Sequence, residues 1–236
     1  MRMRKKPNLD ARMTQCETLQ EKDPAALRGH WREKYGLYKA VWLEIGCGKG
    51  RFTAETAMRE QDALLIAVEK VPSAMVMAME RVRDDGIRNV VFVDMDASNL
   101  GEVFAPGEID RIYINFCDPW PKSRDAKFRL TAPGFLRAYA DILKPGGEIR
   151  FKTDNEPLFD WSLESFTAEG WELRELTRDL HAAGPSGVMT DYEAKFYEQG
   201  IPIKRVVAVK QEGTKNTSAG QPERLRNAAL RDARNC

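Results

Sequence analysis

Short apolar runs alternate with longer mixed segments along this chain of 236 residues. Apolar runs predict buried strands, and the segments between them predict helices. The predicted strands span residues 41–45, 64–68, 90–93, 111–116 and 148–152, and the predicted helices span residues 52–59, 73–83 and 135–143. Strands that alternate with helices indicate βαβ crossovers. The chain is therefore predicted to be a doubly wound α/β protein with a mostly parallel sheet.

The two ends of the chain differ from this middle part. A last, antiparallel strand is predicted at residues 203–209, with residues 171–176 pairing near it. We divide the chain into a basic N-terminal arm (residues 1–30), a main domain (residues 31–210) and a polar tail (residues 211–236). We expect the tail to be mobile, with a short basic helix at residues 223–234.

Composition narrows the possible functions. The chain is 42% hydrophobic, enough for a core, and its formal net charge is +1. Any binding of nucleic acid must therefore depend on local basic patches. Four cysteines without a CxxC pair and only two histidines give no zinc pattern, so we expect no metal and free thiols in a cytoplasmic protein. We expect neither a signal peptide nor a membrane span, because no suitable apolar run is present.

Three glycines follow the first predicted strand. Gly46, Gly48 and Gly50 stand in the stretch LEIGCGKGRF, where glycine lets the backbone turn sharply and approach a ligand closely. The spacing is GxGxG and differs from the GxGxxG of dinucleotide-binding folds. A glycine loop alone is equally compatible with a simple tight turn.

Four acids add to this pattern. Glu44 lies in the first strand, Glu69 ends the second, and Asp96 and Asp118 follow the third and fourth. Ligands of open α/β sheets bind at the carboxyl ends of the strands, where Glu69 can accept ribose hydroxyls and Asp96 an adenine amine. Each acid alone can be a cap or a solvated loop residue. Together with the glycines they predict a cationic adenosine ligand, and S-adenosylmethionine fits better than NAD, whose pyrophosphate the acids would repel.

Four stretches carry a more specific resemblance. They are EIGCGKG, NFCDPWPKSRDAKFRL, LKPGGEIRFKTDN and TDYEAKFYEQG. In this order they closely resemble the single-chain bacterial tRNA (guanine-N7)-methyltransferases, over residues 43–209. The resemblance implies a Rossmann-like methyltransferase sheet and tRNA as the partner. It also implies transfer of a methyl group from S-adenosylmethionine to N7 of a guanine in the tRNA variable loop, position 46 in the family.

The resemblance makes Asp118 the catalytic residue, and elementary chemistry supports this role. Guanine N7 has a free lone pair, so its attack on a sulfonium methyl group needs no deprotonation. The reaction is instead accelerated by correct positioning of the two reactants and by a favourable charge beside them. A carboxylate beside the acceptor stabilises the cationic purine that forms. Pro119 and Pro121 restrict the backbone around the acid. Trp120 between them can equally stack on a base or pack in the core.

The resemblance also implies residues that bind substrate and RNA. The substrate positions are Lys122, Asp154, Thr190, Asp191, Tyr192 and Glu193, and the RNA-contacting positions are Arg124, Lys127 and Arg129. The basic side chains would neutralise phosphates. Ser123, Asp125 and Phe128 stand where the family often has a denser basic cluster, which predicts a weaker grip. Thr190 is equally an N-cap, with Glu193 completing a capping box.

Other functions stay open at this point. A class I methyltransferase acting on a small molecule or a protein would keep the acids and make no use of the basic segment 122–129. A non-catalytic RNA-binding protein on the same scaffold would bind tRNA and transfer no methyl group. A nucleophilic Cys117 is disfavoured, because the adjacent carboxylate raises the pKa of its thiol. His181 has no evident partner, and the oligomeric state, monomer or homodimer, is undetermined.

Overall fold

The computed structural model describes residues 7–216, which form a mixed sheet of seven strands. In chain order the strands are β1 (Ala40–Ile45), β2 (Ala63–Glu69), β3 (Val90–Asp94), β4 (Ile109–Asn115), β5 (Leu143–Thr153), β6 (Glu172–Thr177) and β7 (Lys204–Val209). They lie side by side in the order β3-β2-β1-β4-β5-β7-β6. The strands from β1 to β5 pair in parallel, and β7 runs antiparallel to β5 and β6. The predicted doubly wound sheet with an antiparallel C-terminal strand is therefore confirmed.

Helices connect these strands. They are α1 (Leu9–Gln15), α2 (Trp31–Lys34), α3 (Arg51–Arg59), α4 (Pro72–Asp84), α5 (Leu100–Val103), α6 (Pro133–Ile142), α7 (Glu156–Ala168) and α8 (Asp191–Glu198). The three predicted helices are confirmed as α3, α4 and α6. Helix α7 was not predicted, although Asn155 caps its first turn and Pro157 stands near its start. Within residues 7–216, every helix is too short or too polar to cross a bilayer.

Strand β2 shows how the core is divided. All seven of its residues are buried. Leu64, Ile66 and Val68 belong to the apolar cluster on one face of the sheet, and Leu65 and Ala67 to the cluster on the other. Successive side chains of a strand point to opposite faces, so a strand covered on both faces needs an unbroken apolar run. This is why apolar runs located the central strands.

The first part of the described chain, including α1, packs against the sheet and its helices. Arg12 of α1 forms an ion pair with Glu80 of α4 at 2.6 Å, and Cys16 is buried in the cluster on that face. The Glu21 N–H donates to the Phe92 carbonyl of β3 at 2.9 Å. The boundary at residue 30 therefore does not appear as a break in packing, and the three-part division stays a prediction. The basic residues 2–6 and the predicted helix at residues 223–234 lie outside the described residues.

Strand β5 begins earlier than predicted, because the chain joins the sheet through an irregular stretch. The predicted helix at residues 135–143 ends at Ile142, and Leu143 already pairs with Ile109 of β4. The register then shifts before Arg111 pairs with Glu148. Proline and glycine in the intervening KPGG stretch are typical of such a bulge.

We expect Gly50→Ala to lower the free energy of unfolding more than an ordinary glycine substitution does. Gly50 has φ +77°, and an added Cβ would lie 2.5 Å from the Cβ of Ala78 in α4. The left-handed conformation costs about 1–2 kcal/mol, and overpacking costs about 1–3 kcal/mol more. Urea unfolding measures the loss. The matched control is Gly86→Ala, with φ +66° and open space around an added Cβ. Equal losses in the two variants would contradict the packing argument.

Candidate active site at the carboxyl edge of the sheet

The glycine loop between β1 and α3 presents open backbone. Gly46, Gly48 and Gly50 all have positive φ, which glycine adopts at no steric cost. The N–H groups of Gly46 and Cys47 donate to the Val68 carbonyl at 2.8 and 3.1 Å, and these bonds tie the loop to β2. A Cβ added at Gly46 or Gly48 would meet no atom within 4 Å. The space beside the loop is therefore free for a ligand.

Glu69, at the end of β2, lies beside this loop. Its carboxylate accepts the N–H of Gly48 at 3.0 Å and the N–H of Val71 at 2.9 Å. These bonds fix its orientation, and a carboxylate has further lone pairs that can accept hydroxyl donors. The arrangement fits the ribose-binding role that the sequence predicts for Glu69.

Glu44 of β1 is buried near the glycine loop. Its carboxylate accepts the Thr53 hydroxyl at 2.6 Å. Burial raises the pKa of Glu44 to about 7, although the Thr53 hydrogen bond and the Lys152 charge oppose the shift. A hydrogen bond from the amide of the nearby, buried Asn115 also acts to lower the pKa of Glu44.

Asp96, after β3, is held by local contacts. It accepts the Ser98 N–H at 3.0 Å and forms an ion pair with Lys70 at 3.2 Å. Burial acts to raise the pKa of Asp96, but the Ser98 and Lys70 contacts outweigh it and the net shift is downward. Asp96 is therefore an ionised acceptor, suited to an amine donor.

Asp118 lies exposed in the loop that follows β4. Phe116 and Trp120 on either side have φ +53° and +41°, which non-glycine residues seldom adopt. Such strain persists only where the surroundings over-determine the backbone. Burial, followed by the Asp118 charge, raises the pKa of the Cys117 thiol to about 12. This confirms the predicted direction and leaves the thiol unreactive at neutral pH.

Arg129, which is half-buried, holds this loop through hydrogen bonds to its backbone. Its guanidinium donates to the Pro119 carbonyl at 3.1 Å and to the Trp120 carbonyl at 3.0 Å, and lies 4.5 Å from the ring of Trp161. The Trp120 ring packs on Phe128 at 5.3 Å between centroids. Contact of Arg129 with RNA stays a prediction, beside this bracing role that the sequence did not reveal. The other predicted basic residues, Lys122, Arg124 and Lys127, are exposed.

The predicted substrate segment starts α8 with a capping box. Thr190 accepts the Glu193 N–H at 3.0 Å, and Glu193 accepts the Thr190 N–H at 3.2 Å. The predicted cap is therefore confirmed. Tyr192 is exposed, and Asp191 and Asp154 are half-buried, whereas Glu193 is fully buried. The first three can reach a ligand from their positions, and the Glu193 side chain points into the protein.

His181 was expected to lack a partner, and the structure corrects this. It is buried, with Nε2 3.1 Å from Glu193 and Nδ1 accepting the Ser186 N–H at 3.2 Å. Glu193 also pairs with Lys152 at 2.5 Å. No local pattern signals these contacts, because they join residues that are 12 and 41 positions apart.

The glycine loop and the four acids thus lie at or just beyond the carboxyl ends of four neighbouring parallel strands, as the sequence predicts. Within the described part of the chain, no group of three or more His, Cys, Asp or Glu side chains is arranged to hold a metal ion. This edge has an open glycine loop, carboxylates held by hydrogen bonds, and the exposed Asp118.

Comparison with known proteins gives the class. A family described as "Putative methyltransferase" matches residues 38–206. The 16S rRNA methyltransferase KamB has a TM-score of 0.62 at 15% identity, over 78% of this chain and 93% of that chain. A 16S rRNA (adenine(1408)-N(1))-methyltransferase from Catenulisporales acidiphilia has a TM-score of 0.55 at 16% identity, over 84% and 95%. These structures show the fold alone, and together with the family match they define the chain as a methyltransferase.

Sequence relatives narrow this class. The tRNA (guanine-N(7)-)-methyltransferase of Brevibacillus brevis is 44% identical over 210 residues, which is 88% of this chain and 98% of that protein. That of Bacillus subtilis is 41% identical over 206 residues, 87% of this chain and 97% of that protein. The chain belongs to the family of tRNA (guanine-N7)-methyltransferases, as its motifs indicated.

We expect Glu44→Gln to remove a pH dependence of stability. The folded-state pKa of about 7 lies above the ordinary value of 4.5, so the contribution of Glu44 is fully present below pH 4.5 and is lost as the pH rises to 7. At about 1.4 kcal/mol for each unit of pKa difference, the loss is on the order of 3 kcal/mol. Urea unfolding at several pH values between 4.5 and 8 measures it, with the exposed Glu60→Gln as control. The prediction fails if the wild type and Glu44→Gln show the same pH slope.

Proposed function

We propose that the protein transfers the methyl group of S-adenosylmethionine to N7 of a guanine in the tRNA variable loop. The observation that carries this proposal is one edge of the sheet that bears an open glycine loop, the fixed Glu69 and the exposed Asp118. The names of the relatives from Brevibacillus brevis and Bacillus subtilis support the same reaction. A flexible loop base is a target that proteins can extract and read.

The residues at this edge fit an adenosyl ligand. Glu69 is oriented to accept ribose hydroxyls and Asp96 to accept an amine, while the backbone at Gly46 and Gly48 leaves room for close approach. When bound, S-adenosylmethionine supplies an electrophilic methyl group on a sulfonium ion. The acids at this edge favour such a cation over a pyrophosphate.

Asp118 suits the acceptor side of the reaction. The lone pair of guanine N7 is free, so no side chain has to remove a proton, and we expect no metal to take part. The transfer leaves a positive charge on the purine, which a carboxylate at its side stabilises. Because Arg129 restrains the backbone at Pro119 and Trp120, the acid is held in place before the substrate arrives.

Exposed cations beside Asp118 suit the RNA. Lys122, Arg124 and Lys127 lie in the turn that follows the acid and can neutralise phosphates. The Arg124 guanidinium lies 3.7 Å from the Asp125 carboxylate, which partly offsets its charge. This agrees with the weaker RNA binding that the sequence predicts for this segment. Tyr192, which is 65% exposed, offers a ring on which a base can stack. A tRNA substrate implies an enzyme of the cytoplasm.

Incubation with labelled S-adenosylmethionine and unmodified tRNA, followed by nucleoside analysis, tests this function. We expect label in 7-methylguanosine from the variable loop. We expect Asp118→Ala to lower kcat by roughly 10²–10³-fold while the cofactor Kd is nearly unchanged, because only the charge on the acceptor side is removed.

The matched control for this assay is Asp84→Ala, which removes an exposed acid at the end of α4. We expect its turnover to equal that of the wild type. Label in another nucleoside, or only in a small molecule or a protein, would overturn the proposed substrate. Near-normal turnover by Asp118→Ala would remove the role of that acid.

The basic turn gives a separate prediction. We expect Arg124→Ala with Lys127→Ala to raise the tRNA KM and to reduce the slope of log Kd against log salt by about 1 for each lost phosphate contact. Arg129→Ala should instead lower kcat with little change in the slope, because its guanidinium contacts the loop backbone. Binding to tRNA at several salt concentrations measures the slopes. A slope change of about 1 for Arg129→Ala, which is the change for one lost phosphate contact, would show a direct RNA contact.

A further inference from the structure

A buried charged cluster lies behind the start of α8 and has no part in the reaction described so far. Lys152 of β5, Glu193 of α8 and His181 of the preceding loop are 7%, 0% and 7% exposed. The Lys152 Nζ lies 2.5 Å from Glu193 Oε2 and 2.9 Å from the Val188 carbonyl. His181 Nε2 lies 3.1 Å from Glu193 Oε1. The three side chains therefore join β5, α8 and the loop between β6 and α8.

Hydrogen bonds define the roles of the atoms in this cluster. The Ser186 N–H donates to His181 Nδ1 at 3.2 Å, so the neutral ring carries its proton on Nε2 and donates it to Glu193. The other oxygen of Glu193 accepts Lys152 and the Thr190 N–H. Both oxygens of the Glu193 carboxylate thus accept donors of the protein, and because the residue is fully buried neither oxygen faces the surface where a guanine would bind.

The cluster fixes a segment that lies between two parts of the active site. Val188 packs on the apolar cluster that includes Phe52, which follows the glycine loop. Phe196 of α8 packs on Phe116, with the ring centroids 6.0 Å apart, and Phe116 lies two residues before Asp118. The first turn of α8 therefore lies between the glycine loop, which precedes α3, and the loop after β4 that carries Asp118.

We propose that His181, Glu193 and Lys152 form a latch that positions residues 188–192 for the acceptor base, with Glu193 as a positioning residue and not a substrate ligand. The inference rests on the proposed function, because it assigns the latch to that reaction. A buried ion pair adds little net stability but is intolerant of losing one partner, which suits it to specifying orientation. Residues 191 and 192, whose side chains reach solvent, are the ones that the latch presents to RNA.

Two conservative variants separate the two hydrogen bonds of His181. In His181→Gln the amide N–H takes the place of Nε2 and still donates to Glu193, whereas His181→Asn keeps an acceptor in place of Nδ1 and loses that donor. We expect His181→Asn to raise the tRNA KM roughly 10- to 100-fold with an unchanged S-adenosylmethionine Kd. We expect His181→Gln to stay within about threefold of the wild type. Equal KM values in the two variants would overturn the assigned role.

A double-mutant cycle distinguishes the latch from a direct contact with substrate. Glu193→Gln leaves the Lys152 charge buried without its counter-ion, Lys152→Met does the reverse, and the double variant removes both charges. If Glu193 acts through the latch, the double variant should lose no more kcat/KM for tRNA than the worse of the two single variants, because both side chains belong to one unit. Additive losses would show that Glu193 contacts the substrate itself, and the proposal would be wrong.

Hydrogen exchange in the RNA-free protein keeps this test separate from the proposed function. The latch predicts that His181→Asn speeds exchange of the Thr190 and Glu193 amides and leaves the amides of β2 unchanged. Unchanged exchange at Thr190 and Glu193 would overturn the latch, whatever the substrate is. If the wild type methylates a different acceptor, the proposed function fails, and faster exchange in His181→Asn still supports the latch.

Discussion

Each carboxylate at the carboxyl edge of the parallel sheet needs a hydrogen-bond donor or a positive charge beside it. Which partner each carboxylate has decides what the edge can bind. The central strands are buried on both faces, which confines most polar side chains to the strand ends. Glu69 is satisfied by backbone N–H groups, Asp96 by a helical turn and a lysine, and Glu44 by a threonine hydroxyl and a raised pKa. Of the four acids, Asp118 is the exposed one. Asp118 is therefore available for charge that develops outside the protein.

An available acid helps a reaction only when it is held in place, because a preorganised charge needs no reorientation as the reaction proceeds. The loop around Asp118 is held in one conformation, although that conformation is unfavourable for its backbone. Phe116 and Trp120 adopt positive φ, and the guanidinium of Arg129 binds the carbonyls of the turn while it stacks on Trp161. Strain of this kind persists only where surrounding contacts hold the backbone, and the Arg129 hydrogen bonds are such contacts at Trp120.

Local sequence pattern located the sheet and its edge, because both depend on residues close together in the chain. Apolar runs marked the strands, and the acids stand where those runs end. What the pattern missed are contacts between distant residues. The RNA contact that the resemblance implies for Arg129 stays a prediction, but no pattern signalled its bonds to the Pro119 and Trp120 carbonyls. His181 in a polar loop was expected to lack a partner. Glu193 shows the limit most clearly. Its motif indicated a cap and a substrate contact alike, and only the packing of α8 against β5 revealed a side chain that points inward.

The sheet alone does not choose the acceptor. Proteins named for 16S rRNA methylation share it at 15% and 16% identity, so the features that distinguish this chain must lie in the loops that follow its strands. Two loops qualify, at residues 116–130 and 178–190. The first carries the exposed acid and cations on a strained backbone, and the second is fixed from behind by a buried ion pair. Neither strain nor a buried ion pair is an efficient source of stability. Both are better explained by the need to hold side chains in one orientation around an acceptor that has to be brought in and aligned.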